Sequence, residues 1–238
     1  MEYDGTKFHG FQRQKELISV QGLIEKSLLK IAQEQVTVHG SGRTDTGVHA
    51  IGQVAHFDLT KDILPLKLRE GLNYCMSEKG CSILEVSIVS DDFHARFQAK
   101  SRRYIYKILN RRSPSPLYDQ RVWHVKKSIN IDLMKEAAKH FIGHHDFSAF
   151  RCIHCQVKSP VKTMEQCEVI EKDDLIEIHI SSRSFLHNQI RIMAGTLVHI
   201  GLGREQPSWV KDLLEGGDRK QSGQTAPPYG LYFASVAY

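Results

Sequence analysis

The chain has 238 residues, of which 41% are hydrophobic and 25% charged, so it can bury one large core or two smaller ones. Charges of both signs are interspersed, and no apolar run approaches the roughly 20 residues of a membrane-spanning helix. The sequence therefore predicts no transmembrane segment. Residues 1–5 are acidic where a secretory signal is basic, and no apolar stretch follows them, so we expect a cytoplasmic protein.

The first elements can be predicted from apolar spacing. Ser19 precedes apolar residues at helical intervals, which is typical of a helix N-cap, and predicts a helix through residue 31. Pro65 opens a second, shorter helix that reaches residue 72. Runs rich in β-branched and aromatic residues predict strands at residues 36–39, 53–59, 82–89 and 101–109.

The second half partly repeats this order after a Ser-Pro-Ser-Pro segment at residues 113–116. Apolar spacing predicts helices at residues 132–141, 185–200 and 207–215, and strands at residues 163–169 and 175–181. Helices and strands alternate without the regular βαβ order of a dinucleotide-binding fold. We therefore expect an α+β protein of two similar halves, joined near residues 100–110.

Basic residues concentrate between residues 96 and 127, although the net charge of +5 is modest. Ten Lys and Arg side chains lie in this stretch beside the single acid Asp119. Lys and Arg supply most of the sequence-independent affinity for nucleic acids by contacting phosphates. The stretch is thus either a phosphate-binding surface or an ordinary solvated face.

The cysteines are odd in number and irregularly spaced: Cys75, Cys81, Cys152, Cys155 and Cys167. We expect reduced thiols, because a chain of this size folds without disulfides. One close pair, Cys152 and Cys155, could form half of a zinc site with His154 or Cys167. Because a structural zinc site usually has a second close pair, we predict no metal site. A zinc-stabilised interaction protein is kept as an alternative.

A glycine-bounded loop at residues 40–47 separates two predicted strands. It lacks the Lys-Ser/Thr pair of a phosphate-binding P-loop, and Asp45 breaks the G-x-G-x-x-G pattern. Two interpretations follow from the residues alone. Asp45 either caps the turn while Arg43 is solvated, or it is a reactive carboxylate two residues from a cation.

The loop resembles the catalytic signature of the tRNA pseudouridine synthase A family, with GRTDTGVH at residues 42–49. Other blocks agree with that family in order and spacing. They are YDG and GFQ near the N-terminus (residues 3–5 and 10–12), DDFHARF followed by RRYIY (residues 91–97 and 102–106), FLHNQIR (residues 185–191) and GLY (residues 230–232). The resemblance therefore covers the chain from residue 3 to about residue 233.

The resemblance implies an α+β pseudouridine synthase fold, in which two ferredoxin-like halves with mixed or antiparallel sheets join around a central RNA-binding cleft. Residues 1–103 would carry the aspartate loop, and residues 104–238 the active-site tyrosine and arginine. The implied activity is that of an isomerase that converts uridine to pseudouridine at positions 38, 39 and 40 of the tRNA anticodon stem-loop. No cofactor is implied, and family members act as homodimers that share a tRNA.

The resemblance also assigns the catalytic residues. Asp45 would act on the target nucleotide, either by attacking the base or the sugar or by abstracting a sugar proton. Arg191 matches the arginine that pairs with this aspartate, and a cation within about 4 to 6 Å would keep the carboxylate ionised. Tyr104 matches the tyrosine that stacks on the flipped base. Isolated histidines such as His94 are more often structural, so none is expected to be catalytic.

The remaining site residues would bind the RNA. Arg43 matches the residue that enters the stem in place of the flipped base, and Ile190 would press on the base opposite Tyr104. Phosphates are assigned to three further arginines, Arg96, Arg102 and Arg103. A catalytically idle RNA-binding module, using the same basic stretch, is the second alternative. The family usually has a longer strand before Tyr3, which this sequence lacks.

Overall fold

The computed structural model describes residues 1–152 and 159–238 and has a mixed α+β architecture with mostly antiparallel strand pairing. The chain divides into two compact units: Met1–Lys100 with Tyr232–Tyr238 forms unit 1, and Ser101–Leu231 forms unit 2. The sequence-based division at residues 103 and 104 kept the last strand with the second half, whereas its contacts group it with unit 1. In the described ranges, no helix has the length and hydropathy to cross a bilayer.

Unit 1 is built on short strands and two helices. The strands are β1 (Glu2–Tyr3), β2 (His39–Gly40), β3 (His49–Ala50), β4 (Ala55–His56) and β5 (Cys81–Ser82), and the helices are α1 (Val20–Ala32) and α2 (Pro65–Met76). β1 lies between β5 and β3 and is antiparallel to both. The last strand of the chain, which runs from Leu231 to Ala237, is parallel to β3. β2 and β4 form a separate antiparallel pair.

Unit 2 contains the long strands. They are β6 (Ser101–Asn110), β7 (Trp123–Val125), β8 (Gly143–Asp146), β9 (Val161–Lys172) and β10 (Leu175–Ser182), with helices α3 (Ile131–Lys139), α4 (Gln189–Gly201) and α5 (Trp209–Gly216). The C-terminal strand (Leu231–Ala237) is β11. β10 lies between β6 and β9, and β8 pairs with the far side of β9, all antiparallel. β7 is parallel to β6.

Apolar side chains at every second position of β6 and β10 form the core face of unit 2. Tyr104, Tyr106 and Ile108 are buried and lie opposite Ile180, Ile178 and Ile176 respectively. The helices α3 and α4 pack against each other. α3 also contacts β9, and α4 contacts β6. Burial of a large aliphatic side chain contributes about 1.5 to 3 kcal/mol, so burial of this face stabilises the unit.

The predicted helices are confirmed, with most of their ends within two residues of the prediction, but α2 continues to Met76, four residues beyond its predicted end. Ser19 caps α1 by accepting a hydrogen bond from the backbone N–H of Gly22. Asn130 caps α3 in the same way, accepting from residues 132 and 133. α4 begins four residues later than predicted because Asn188 adopts a left-handed conformation with φ of +63°.

Three predicted strands of unit 1 are mostly absent from its ladders: only residue 39 of 36–39, residues 55 and 56 of 53–59, and residue 82 of 82–89 lie in strands. In two of them, side chains bind backbone groups that a neighbouring strand would otherwise pair. Residues 36–38 precede β2 unpaired, and the N–H of Val38 donates to Glu25 of α1 at 3.1 Å. Residues 83–89 lie outside β5, and both backbone groups of Ile83 bond the Asn73 amide of α2, at 2.7 and 2.9 Å. The strand prediction was therefore wrong for residues 36–38, 53–54, 57–59 and 83–89.

Two potential zinc ligands, His154 and Cys155, lie outside the described residues. Cys167 is buried in β9, and burial raises the pKa of its thiol to about 12. A neutral thiol is a poor metal ligand. In the part of the chain that the structure describes, no group of three or more His, Cys, Asp and Glu side chains could hold a metal ion.

Candidate active site

The loop between β2 and β3 presents Asp45 half-buried, while Arg43 and Thr46 on either side of it are exposed. The backbone turns sharply after Asp45, whose carbonyl accepts a hydrogen bond from the N–H of Val48 at 3.1 Å. Gly47 has φ of +80°, the left-handed value that the third position of a type II turn requires. The glycine thus makes the turn that directs Asp45.

A buried hydrogen-bond network supports the loop from below. The hydroxyl oxygens of Tyr3 and Thr44 are 2.8 Å apart, and both side chains are buried. Gln53 is fully buried and its amide donates to the carbonyl of Gly42 at 2.9 Å, while its oxygen accepts from the Ser41 hydroxyl at 2.6 Å. Because groups on both sides of Arg43 are held in this way, the positions of Arg43 and Asp45 are set by the network.

The segment at Gly10 and Phe11 connects the loop to α1. The N–H of Phe11 donates to the Thr44 carbonyl at 3.0 Å, and the Phe11 carbonyl accepts from the N–H of Gln21 in α1 at 2.9 Å. Gly10 has φ of +89°, and a Cβ there would lie 2.7 Å from the Thr44 carbonyl oxygen. Only glycine therefore allows the segment to approach the loop this closely.

His49 closes the other side of the loop. Its Nδ1 accepts a hydrogen bond from the N–H of Gly5 at 3.1 Å, and its ring stacks on Tyr232 with centroids 4.7 Å apart. A Cβ on Gly5 would lie 2.1 Å from the Val48 carbonyl oxygen, so the YDG turn packs directly on the loop. The two N-terminal sequence blocks thus have a structural explanation as supports of the loop.

Tyr104 lies in unit 2 on the core face of β6. Only 8% of it is exposed, and its ring makes an edge-to-face contact with Phe185 at 5.2 Å between centroids. The next core residue, Tyr106, donates its hydroxyl to the carbonyl of Pro227 at 2.8 Å. Burial raises the pKa of Tyr106 well above its usual value, although the positive charge of Arg191 opposes this shift.

Arg191 is held at the start of α4 by backbone and side-chain acceptors. Its Nε donates to the carbonyl of Ala226 at 2.7 Å and its Nη1 to the side chain of Asn188 at 2.9 Å. The Arg191 carbonyl in turn accepts from the N–H of Ala226 at 3.0 Å. These bonds fix the guanidinium in one orientation. Ile190, the neighbouring residue, is 4% exposed.

The arginines expected on phosphates lie in different surroundings. Arg102 is buried, and its guanidinium donates to the carbonyl of Arg183. Arg103 is exposed, and its Nη2 lies 2.6 Å from Nδ1 of His179. Arg96 is exposed in unit 1, beside the ring of Phe97. Their phosphate contacts stay a prediction.

Sequence reasoning did not identify Tyr3, Gln53 and Thr44 as supports of the aspartate loop. Tyr3 and Thr44 are 41 positions apart, so only the fold brings their hydroxyl groups together. The one available signal was Gln53, a polar residue at the start of a predicted strand. A buried amide of this kind needs hydrogen-bond partners and indicates a polar network.

Comparison with known proteins gives consistent matches across the chain. A family model described as tRNA pseudouridine synthase matches residues 1–98 and 137–238. The chain is 49% identical to the tRNA pseudouridine synthase A of Ehrlichia canis (strain Jake), over 100% of this chain and 98% of the relative. It is 47% identical to the enzyme of the same name from Brucella ovis, over 100% of this chain and 96% of the relative. On this identity and coverage, the chain belongs to the tRNA pseudouridine synthase family.

Proposed function

We propose that this chain is an isomerase that converts uridine to pseudouridine in the anticodon stem-loop of tRNA, at positions 38, 39 and 40. One observation carries the proposal: the half-buried carboxylate of Asp45 is presented by a loop with the family signature, on a buried hydrogen-bond network. The turn is closed by the backbone, through the N–H of Val48 and the carbonyl of Asp45.

The reaction needs no redox partner. The bond between N1 of uracil and C1′ of ribose breaks, the base rotates, and a bond forms between C5 and C1′. The proton on C5 is then lost and N1 gains one, so atoms and electrons balance within one nucleotide. A carboxylate and a positioning pocket are sufficient for such a reaction.

Asp45 is the proposed catalytic carboxylate, acting on the base, on C1′ or on a sugar proton. Arg191 is proposed to keep that carboxylate ionised, since a nearby cation favours the charged form. The two bonds that orient its guanidinium support such a fixed role. Tyr104 is proposed to stack on the flipped uracil. Because β6 already holds the ring in place, stacking would cost little conformational entropy.

The RNA must deform before the reaction, because the target uridine is stacked and flipping it costs a few kcal/mol. Arg43 is proposed to fill the vacated space in the stem, and its exposed side chain on a held loop supports this role. Ile190 is proposed to face the base opposite Tyr104. The phosphate contacts are assigned to Arg96, Arg102 and Arg103.

Three finer assignments belong to the same proposal. The two compact units would be the ferredoxin-like halves of the family, with the RNA-binding cleft formed by both. The enzyme would act as a homodimer with a tRNA contacting both subunits. It would work in the cytoplasm, where tRNA is matured.

The experiment is to treat an unmodified tRNA transcript with the protein and to map pseudouridine by carbodiimide labelling and primer extension. Matched transcripts carry cytidine in place of uridine at position 38, 39 or 40. We expect a stop next to each of these uridines, lost only from the transcript that lacks that uridine. Stops at other positions would overturn the assigned sites, and no stop at all would overturn the activity.

A further inference from the structure

An exposed aromatic side chain lies on the turn at residues 94–98 of unit 1. Phe97 is 69% exposed, whereas Ala95 and Ala99 on the same segment are fully buried or nearly so. Exposure of a phenyl ring forfeits the favourable free energy of burying it. Single exposed apolar residues are common, so the surroundings of Phe97 decide whether it has a role.

Phe97 is the outer member of a row of rings. Its ring centroid lies 4.2 Å from that of His94, which lies 4.6 Å from His56. His56 in turn stacks on His39 with centroids 5.1 Å apart. Phe97 thus stands on a packed base, and 69% of its side chain still faces solvent.

The same histidines fix the backbone that carries Phe97. Nδ1 of His94 accepts hydrogen bonds from the N–H groups of Arg96 and Phe97, at 3.1 and 3.3 Å. Nδ1 of His56 accepts from the N–H of Ala95 at 3.2 Å. Burial and the charges of His94 and His39 lower the pKa of His56, which keeps it a neutral acceptor near pH 7. Two rings therefore bind three successive N–H groups.

The far side of the turn is tied to the C-terminal strand. The hydroxyl of Tyr238 donates to the carbonyl of Ala95 at 2.9 Å, and its ring lies 5.0 Å from that of Phe93. The N–H of Lys100 donates to the carbonyl of Ala237 at 2.8 Å. An exposed ring on a backbone held at so many points loses little conformational entropy on binding a ligand.

A cation lies beside the exposed ring. The Cζ atom of Arg96 is 5.7 Å from the centroid of Phe97. A nucleotide combines a flat base that stacks on aromatic rings with a phosphate that arginine binds, and proteins read unpaired RNA bases in this way. An aromatic ring next to a guanidinium matches both parts of this ligand.

We propose that Phe97 and Arg96 form a binding subsite for one unpaired nucleotide of the tRNA, other than the uridine that reacts. The base stacks on Phe97, and Arg96 contacts the adjoining phosphate. The histidines His94 and His56 are positioning residues, which hold the turn and do not touch the RNA. The inference rests on the proposed function, because it takes tRNA as the ligand.

The test compares Phe97→Leu and Phe97→Trp with the wild type. Leucine keeps an apolar side chain but removes the ring, and tryptophan keeps a stacking surface. The control is Tyr74→Leu on α2, which removes a ring that is 86% exposed in the same unit. For each protein, the dissociation constant for full-length tRNA is measured by fluorescence anisotropy, and KM and kcat by tritium release from tRNA labelled at C5 of uridine.

If the base stacks on Phe97, Phe97→Leu should have a roughly 5- to 150-fold larger dissociation constant and a higher KM. Its kcat should stay within about twofold of the wild type. Phe97→Trp and Tyr74→Leu should bind like the wild type. The indole emission added by Phe97→Trp should be quenched when tRNA binds.

Unchanged tRNA binding by Phe97→Leu, while the wild type releases tritium, would overturn the subsite and leave the proposed activity intact. An altered molar mass of Phe97→Leu by light scattering would assign the ring to self-association and also overturn it. A wild type that binds tRNA without releasing tritium would count against the activity alone. Absence of both binding and release would remove both proposals.

Discussion

The hydroxyl oxygen of Tyr3 lies 2.8 Å from that of Thr44, the residue immediately before Asp45. Both side chains are buried, and the phenol also accepts a long hydrogen bond of 3.4 Å from the Gln53 amide. Burial raises the pKa of Tyr3 to about 12, so the phenol stays protonated and can donate a hydrogen bond at any physiological pH. The N-terminal strand thereby holds the aspartate loop from beneath.

Tyr3→Phe should weaken this support. Removing the hydroxyl leaves buried polar groups of Thr44 and Gln53 with fewer partners, which costs about 1 to 3 kcal/mol of unfolding free energy. A loop displaced by a fraction of an ångström should lower kcat on the order of tenfold. Urea denaturation and tritium-release kinetics measure the two effects. Tyr74→Phe removes an exposed hydroxyl and should change neither, and an unaltered kcat in Tyr3→Phe would refute the supporting role.

Gly10→Ala should lower the unfolding free energy more than Gly203→Ala does. Gly10 and Gly203 both have positive φ, +89° and +71°, but a Cβ would meet the Thr44 carbonyl only at Gly10 and nothing within 4 Å at Gly203. We expect Gly203→Ala to cost about 1 kcal/mol from backbone strain and Gly10→Ala at least about 2 kcal/mol. Only Gly10→Ala should lower kcat. Equal stability losses with equal activity would show that the close approach to the loop has no consequence.

A buried carboxylate network stabilises the second unit. Glu177 accepts hydrogen bonds from Lys172 at 2.7 Å and from His179 at 2.8 Å, and Lys107 lies 3.9 Å away. Burial alone raises the pKa of Glu177, but these hydrogen bonds and the lysine charges together hold its pKa below the usual range. The ionised carboxylate therefore contributes stability above a pH of about 4.3, and this contribution is lost as the pH falls through its lower folded pKa.

Glu177→Gln should lower the unfolding free energy by about 1 to 3 kcal/mol at pH 7, because the network loses its negative charge and one of the two acceptor oxygens is replaced by an amide N–H₂. The difference from the wild type should shrink as the pH falls below about 4.3, where the carboxyl of the unfolded chain becomes protonated, and the charge contribution should be lost once the pH falls below the lower folded pKa. Denaturation at several pH values measures this. Glu171→Gln changes an exposed carboxyl on β9 and serves as the control. A difference that stays constant between pH 7 and pH 3 would contradict the assigned charge.

The helices could be predicted from the sequence because their apolar spacing and caps are local. Ser19 both precedes the apolar pattern and binds the N–H of Gly22, so pattern and structure coincide. The short strands of unit 1 could not be predicted. Their limits depend on side chains distant in sequence, such as Asn73, which binds the backbone of Ile83 in place of a neighbouring strand.

The candidate site, too, could be predicted only where its residues are neighbours in the chain. The Asp45 loop was predicted from a contiguous motif, since its glycines and the carboxylate are neighbours in the chain. The phosphate assignment of Arg103 came from its charge alone, and its bond to His179, 76 positions away, could not be foreseen. Polar contacts between distant residues leave no periodic signal in a single sequence.

The most direct test of the catalytic assignment is tritium release from tRNA labelled at C5 of uridine, because pseudouridine formation must exchange that hydrogen. Wild type is compared with Asp45→Asn, which keeps the shape of the side chain but not its negative charge. The account predicts that Asp45→Asn releases no tritium above background. Its thermal unfolding temperature should match that of the wild type, and its dissociation constant for tRNA should stay within about twofold. Release by Asp45→Asn at a rate close to that of the wild type would contradict it.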